Sequence, residues 1–490
     1  MSAFAERRTV VPCVVVFLAA FTAISAIRID FIRGFWADEF WTLFMTQHDV
    51  GVRSIFADRW MKDIHPPIYY AMTWSFSGIF RNSVITDRLF NLIPLGVFTL
   101  AFSAQGASRT STRSFLVAMS IMLFTLADFR FYLSEARSYF LVLVCAAISV
   151  GLSQATFDEA ISVRQNRALA AILIIATGLW GTVHYINGLI ACCFAGSCAV
   201  VHLSNGRRDW AFLFGVTAAV AVIICLVSVS AEMAVFRLQG PSPSSGLGAL
   251  SCVKLFAQMA LSSIKANPVI ALAAAWTVLR DRSRNPYLSA VALGLALSLV
   301  GLAAFNTLRP TLIPRYIISV QALMVAGIAI LAAPVIKRSR TLLAVAFLFA
   351  FLLIAKHAWF DRQDANWFAT GRIIAAIKHE CPAARVYVVR NARLGPSNTN
   401  TPPPNVETVR AIAYQTIADR YGFAINSGAQ TIGPTCPTLL WAEHVGTPDI
   451  SPTYAAEIEK FDLSRVAKAQ EIKGYSGIVF AYWPRMSAGT

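Results

Sequence analysis

The feature that most constrains this chain is an alternation: apolar runs of about 20 residues separated by short basic clusters. The clusters are Arg7 and Arg8, Arg109 and Arg113, Arg164 and Arg167, Arg207 and Arg208, Arg280 to Arg284, and Lys337 to Arg340. About 20 apolar residues is the length of a helix that crosses a bilayer, and a spanning helix satisfies its own backbone where no water can. The runs lie at roughly 10–27, 88–106, 114–128, 138–155, 168–184, 186–203, 210–230, 258–280, 286–305, 315–335 and 341–359, about eleven spans in all. Composition agrees, since a chain that is 56% hydrophobic and 14% charged with mean hydropathy +0.58 is not an ordinary soluble protein. The net charge of +16 could suggest nucleic acid, but the basic residues sit between apolar runs and form no single stripe. They read as topology signals, with no nucleic-acid partner implied.

The positive-inside rule puts those clusters in the cytoplasm. The segment 66–80 is apolar but short and opens on Pro66-Pro67. If it crossed the membrane, every later basic loop would be forced outside, so it is expected to be a juxtamembrane helix on the outer face. The loop from about 28 to 87 then becomes one large external structure holding Asp38, Glu39 and His65 together. Phe35, Trp36, Phe40 and Trp41 flank the two carboxylates and read as headgroup-level anchors. Arg7 and Arg8 precede an apolar stretch with no small-residue cleavage site before Asp38, so that stretch is expected to be a retained first span.

After residue 360 charge, Pro and Asn rise, and LGPSNTNTPPPN at 394–405 reads as a loop. Apolar spacing predicts helices over 366–379 and 406–420 and short strands at Val386–Val389, Thr438–Trp441 and Gly477–Tyr482. The domains expected are thus a membrane module, 1–359, and a small external α/β domain, 360–490. Seven of the nine cysteines lie in or beside apolar spans. Cys381 and Cys436 do not, and in an oxidising compartment they are the candidates for a disulfide. No metal-binding Cys spacing and no internal repeat stands out.

Candidate functional residues gather at the outer ends of the spans. Asp38 and Glu39 follow the first span, and His65, Tyr69 and Tyr70 lie in HPPIYY. Arg137 and Tyr139 lie in SEARSY at the start of one span, and Arg315-Tyr316 open another. A cation at the membrane needs a partner or a ligand; Glu135 is a candidate partner for Arg137, and Arg315 could snorkel to headgroups. His184 follows the outer end of a span, where a packing role competes with a ligand role. Arg88 is adjacent to Asp87 and could pair with it.

The ordered set Asp38-Glu39, HPPIYY at 65–70, RLFNLIP at 88–94, SEARSY at 134–139 and Arg315-Tyr316 resembles the GT-C glycosyltransferases. The likeness is to the bacterial branch related to protein mannosyltransferases and lipid A aminoarabinose transferases, and it covers about the first 330 residues. It implies a polytopic helical fold of GT-C type with external juxtamembrane helices, in the bacterial plasma (inner) membrane. It also implies a periplasmic active site, with a sugar on polyprenyl phosphate as donor and a cell-envelope lipid, glycan or protein as acceptor. RLFNLIP departs from the Arg-Leu-Pro-Ser-like stretch of the family. Ile64 stands where some relatives carry a metal-binding carboxylate, so a divalent metal is left open. Chemically, phosphate is a good leaving group, so one base is enough, and Asp38 is the candidate. Glu39 could orient Asp38, bind the acceptor or ligate a metal. Arg137 and Arg315 suit the departing phosphate, whose oxygens a guanidinium meets in pairs. A transporter or flippase of lipid-linked sugars is the rival reading; it predicts midplane polar residues and repeated halves, and the sequence has neither.

Overall fold

The computed structural model describes residues 8–35, 37–63, 65–80, 82–158, 161–239, 248–280, 285–308, 312–360, 367–389, 406–427, 431–443, 464, 466–473 and 477–485. Trp36, Ile64 and the loop 394–405 lie outside them. The chain divides into two compact units. The first is Met1–Asp30, His48–Arg81 and Ile85–Asp361; the second is Phe31–Gln47, Asn82–Val84 and Arg362–Thr490. The 28–87 segment is therefore divided between them.

The helices in chain order are α1 (Val10–Ile32), α2 (Ala37–Met45), α3 (Val52–Asp58), α4 (Ile68–Ser77), α5 (Val84–Leu89), α6 (Leu92–Ser108), α7 (Arg113–Thr125), α8 (Ala127–Leu133), α9 (Tyr139–Ser153) and α10 (Arg167–Val183). They continue with α11 (Tyr185–Ser204), α12 (Arg208–Gln239), α13 (Gly248–Ala266), α14 (Pro268–Arg280), α15 (Pro286–Leu308), α16 (Val320–Arg338), α17 (Arg340–Phe360), α18 (Trp367–Glu380) and α19 (Val406–Tyr421). Among the described residues 8 helices are long and apolar enough to cross a membrane, or up to 10 if each of two bent pairs is one span. The 17-residue α10 is a further, shorter apolar helix. Every run read as a span is helical, and 66–80 holds only the 10-residue α4. Phe17, Ile24, Leu100, Ile175, Leu226 and Leu279 are exposed on these helices, as side chains facing lipid should be.

Two spans depart from straight helices, each for a local reason. The run 258–280 was expected to be one helix, but α13 and α14 meet at 106°. Pro268 has no N–H to offer the preceding turn, and Asn267 caps the new helix by accepting from the Ile270 N–H at 3.2 Å. The amide of Asn267 also donates to the Ala346 carbonyl at 3.0 Å, which ties the corner to α17. Between α7 and α8 the axis turns by 66° where Leu126 leaves helical geometry (ψ 128). Arg130 braces that break by donating to the carbonyls of Phe124 (3.1 Å) and Thr125 (2.6 Å), which have lost their helical partners. A third difference is small: the run expected to start at 315 opens with a 3₁₀ turn at Pro314–Ile317 before α16 begins at Val320.

The second unit carries a four-stranded sheet, β1 (Arg385–Val388), β2 (Thr438–Glu443), β3 (Val466–Lys473) and β4 (Gly477–Pro484), in the order β1-β2-β4-β3. β1 and β2 are parallel and the other pairs antiparallel. Every residue of β2 is buried, and its side chains are apolar on both faces except for Thr438 at its start and Glu443 at its end. There the carboxylate fills the place that a side chain on the opposite residue, Gly477, would take: a Cβ at 477 would lie 2.5 Å from Glu443 Cδ. β3 falls outside the expected strands, because VAKAQEIK is charged and exposed over Ala467–Glu471, with no apolar face to mark it.

Cys381 and Cys436 form a disulfide with Cα atoms 5.8 Å apart, joining the end of α18 to the start of β2. It closes a loop of 55 residues, which includes α19. Replacing both cysteines with serine is expected to destabilise the unit by about 2–5 kcal/mol. Thermal unfolding of wild type with and without reductant, beside the double variant, checks this; reductant should move the wild type to the variant's midpoint and leave the variant unchanged.

Candidate active site

In the first unit, residues from five separate stretches of sequence meet around Tyr139, and each stretch is held by identifiable bonds. The loop carrying Arg137 follows the braced α8. Asn91 gathers it from below, its amide donating to the carbonyls of Tyr132 (3.1 Å), Leu133 (3.2 Å) and Glu135 (2.7 Å). A second stretch is the turn Pro314–Ile317. Asn187, in the first turn of α11, donates to the Tyr316 carbonyl at 2.9 Å, and Ser319 donates to the other end of the same amide. Arg315 and Tyr316 are thereby fixed to the helix that His184 precedes.

The guanidinium carbons of Arg137 and Arg315 lie 5.7 and 5.9 Å from the centre of the Tyr139 ring. Arg315 is also 5.7 Å from the Tyr316 ring. His184 is 5.2 Å from Tyr316, 6.1 Å from Tyr139 and 5.4 Å from His65, ring to ring. Two cations, two imidazoles and two phenols thus share one locality, in which Arg137, Tyr139, His65 and His184 are buried and Arg315 and Tyr316 half-buried. Tyr69 is buried beside Tyr70 and Phe90, with ring centres 5.9 Å from each.

His65 links this locality to a carboxylate. A terminal nitrogen of Arg137 is 3.4 Å from His65 Nε2. Nδ1 faces Asp63 Oδ2 at 3.4 Å, and the Tyr70 hydroxyl donates to the same oxygen at 2.6 Å. Burial alone would raise the pKa of Asp63, but the hydrogen bond and attraction of His65, the bond from Tyr70 and the charge of Arg137 outweigh it and hold the carboxyl below its ordinary 3.8. His184 is fully buried beside His65, between α10 and α11.

A lowered carboxyl stabilises the fold above its unfolded value and ceases to do so as pH falls through the folded one. Asp63→Asn is therefore expected to cost about 1.5–3 kcal/mol at neutral pH, the worth of hydrogen bonds to a charged group. Below pH 3.8 the difference from wild type should shrink. Unfolding of the detergent-extracted proteins across pH reads both; an equal difference at pH 7 and pH 3 would remove Asp63 as a charged member of the chain.

In the second unit, Asp38 and Glu39 occupy the first turn of α2, where carboxylates favour the positive end of a helix. Glu39 is buried and lies 3.5 Å from Arg33; Asp38 is half-buried. Phe35 and Phe40, read from the sequence as headgroup anchors, are instead buried in an aromatic core with Phe368 and Trp367. Back in the first unit, Arg88 is fully buried and donates to the Asp30 carbonyl at 3.0 Å. Among the described residues no group of three or more His, Cys, Asp or Glu is placed to hold a metal ion.

Asp63, Asn91, Asn187 and Ser319 are absent from the set read from the sequence. Asp63 stands two residues from His65, a spacing that could have drawn it in. The others act on partners 41 to 132 residues away, and nothing local marks them.

No family model matches this sequence, and no curated protein matches it. Among solved structures, ArnT from Cupriavidus metallidurans bound to undecaprenyl phosphate is similar, with 14% identity, a TM-score of 0.49 and coverage of 95% of this chain and 97% of that one. The same protein in the apo state gives 15% identity, a TM-score of 0.48 and the same coverage.

Proposed function

We propose that this chain is a membrane glycosyltransferase that moves a sugar from a polyprenyl-phosphate carrier to a cell-envelope acceptor, on the periplasmic side of the bacterial inner membrane. The observation that carries the reading is the convergence of Arg137 and Arg315 on one buried tyrosine ring, that of Tyr139, at 5.7 and 5.9 Å from its centre. Paired guanidiniums in an apolar bundle suit a lipid-borne phosphate, whose oxygens accept their parallel N–H groups. The ordered motifs in the sequence point to the same chemistry.

In this reaction an acceptor hydroxyl attacks the anomeric carbon, the bond from that carbon to the phosphate oxygen breaks, and polyprenyl phosphate leaves with the electron pair. Asp38 takes the hydroxyl proton. Glu39 orients the turn that carries Asp38. Arg137 and Arg315 stabilise the charge that grows on the leaving phosphate, and such fixed charges are often the largest catalytic term. His184, with His65, Tyr69, Tyr70, Tyr139 and Tyr316, supplies hydrogen bonds and ring faces for phosphate and sugar. Should a divalent metal take part, Glu39 is the nearest candidate ligand by type.

The test is a panel of radiolabelled polyprenyl-phosphate sugars offered to the purified protein in proteoliposomes with envelope lipid, glycan and protein acceptors. One donor is expected to lose its sugar to one acceptor and release polyprenyl phosphate in equal amount. Movement of intact lipid-linked sugar across the bilayer without cleavage would replace this reading with a flippase.

A further inference from the structure

The second unit joins two parts of the chain more than 300 residues apart, the α2 segment and the C-terminal domain, and the contacts between them are specific. Phe40, next in sequence to Glu39, packs on Trp367 with ring centres 4.9 Å apart. Trp367 in turn meets Tyr414 at 5.2 Å and Trp441 at 6.2 Å, and those two rings stand edge to face at 4.6 Å. The stack ends in hydrogen bonds at the end of β2: Trp441 Nε1 donates to Glu443 Oε1 at 2.9 Å, and the Glu443 N–H donates to the hydroxyl of Tyr414 in α19 at 3.0 Å. Two residues before α2, Phe35 lies edge to face on Phe368 at 4.9 Å. Arg420, from the end of α19, closes this contact by donating to the Phe31 carbonyl at 3.0 Å, with its guanidinium 4.2 Å from the centre of the Phe368 ring.

A helix of 9 residues has little stability of its own, so its docking fixes its orientation. Successive side chains point about 100° apart around a helix, 3.6 to the turn, so holding Phe40 fixes where Asp38 and Glu39 point. A slip of one residue would exchange the half-buried Asp38 for the buried Glu39. We infer that Trp367 and Arg420 of the C-terminal domain are positioning residues that set the rotation of the Asp38-Glu39 helix. The inference rests on the reading of Asp38 as the base, and gives the C-terminal domain a purpose in transfer.

The experiment uses the full chain in lipid nanodiscs. Trp367→Leu, Trp367→Phe, Arg420→Ala and Arg420→Lys are compared by kcat and donor KM, using the polyprenyl-phosphate sugar that supports transfer in the panel. Hydrogen exchange at the amides of Ala37–Met45 is followed in the same samples, together with thermal unfolding. Trp367→Leu should lower kcat about tenfold or more with donor KM changed less than about twofold, and should speed exchange in α2. Trp367→Phe, which keeps a ring against Phe40, should recover most of the rate. Arg420→Ala, at the exposed edge, should give a smaller loss of the same kind, about three- to tenfold, and Arg420→Lys should recover part of it. If Trp367→Leu fails to fold, the Arg420 pair decides. Unchanged exchange in α2, or a loosened α2 with kcat intact, overturns the inference. Asp38→Asn, run beside them, separates the two ideas: full transfer there removes the base and the inference together. Loss of transfer in Asp38→Asn, with full transfer in both Trp367→Leu and Arg420→Ala, removes the inference alone.

Discussion

Asp38→Asn is expected to abolish transfer while the protein still inserts and folds, with a loss of about 10²–10⁴-fold, the usual contribution of a positioned base. Asparagine keeps the shape of the side chain and one acceptor oxygen, and removes the negative charge and with it the capacity to take a proton. The environment of the residue supports a clean separation of chemistry from stability. Asp38 is half-buried at the start of α2, whereas its neighbour Glu39 is buried and lies 3.5 Å from Arg33. Glu39→Gln should accordingly show itself as lost stability, up to about 3–5 kcal/mol for breaking a buried pair, with a smaller effect on turnover once folded protein is normalised. Transfer rate per folded molecule, measured with unfolding temperature for both variants, checks the contrast. Near-normal turnover in Asp38→Asn takes the base role from that residue.

How far the sequence reveals this molecule depends on the range of the forces involved. The spans are legible because an apolar run of bilayer length leaves its backbone no alternative to a helix. The disulfide is legible because Cys381 and Cys436 are the cysteines outside the apolar runs. The bend at Asn267-Pro268 is half legible: proline announces a break, but the angle depends on the bond from Asn267 to Ala346, 79 residues on. Phe35 and Phe40 were misread because an aromatic residue near a span end suits a headgroup belt and a protein core equally well. Only the fold supplies Trp367 and Phe368, and with them the choice. The site shows the same division. Arg137, His65, His184 and Arg315 stand out as polar residues at span ends. The amides of Asn91 and Asn187, which hold their loops, have no signature outside the folded chain.

Replacing Arg137 or Arg315 with lysine should weaken transfer although the charge is kept, because an ammonium is a point donor and cannot meet two phosphate oxygens in the parallel fashion of a guanidinium. Alanine should be worse, by about 10²–10³-fold in kcat, the scale seen when one donor to a developing oxyanion is removed. The two sites differ in what else they hold. Arg137 also contacts His65 Nε2 at 3.4 Å, so its loss should release the imidazole that faces Asp63. Arg315 stands against the rings of Tyr139 and Tyr316, so its loss should spare Asp63 and His65. Arg137→Ala is therefore expected to lower stability as well as rate, and Arg315→Ala chiefly rate. Glu135 offers the sharpest control. If Arg137 serves only to balance Glu135, the double change Glu135→Gln with Arg137→Gln removes both charges and should restore folding and transfer together. If Arg137 grips the phosphate of the donor, folding returns at most and transfer stays absent. Transfer from the polyprenyl-phosphate sugar, read beside detergent-extracted yield for each variant, decides between them, and full activity in the double variant would end the role of Arg137 in holding the donor.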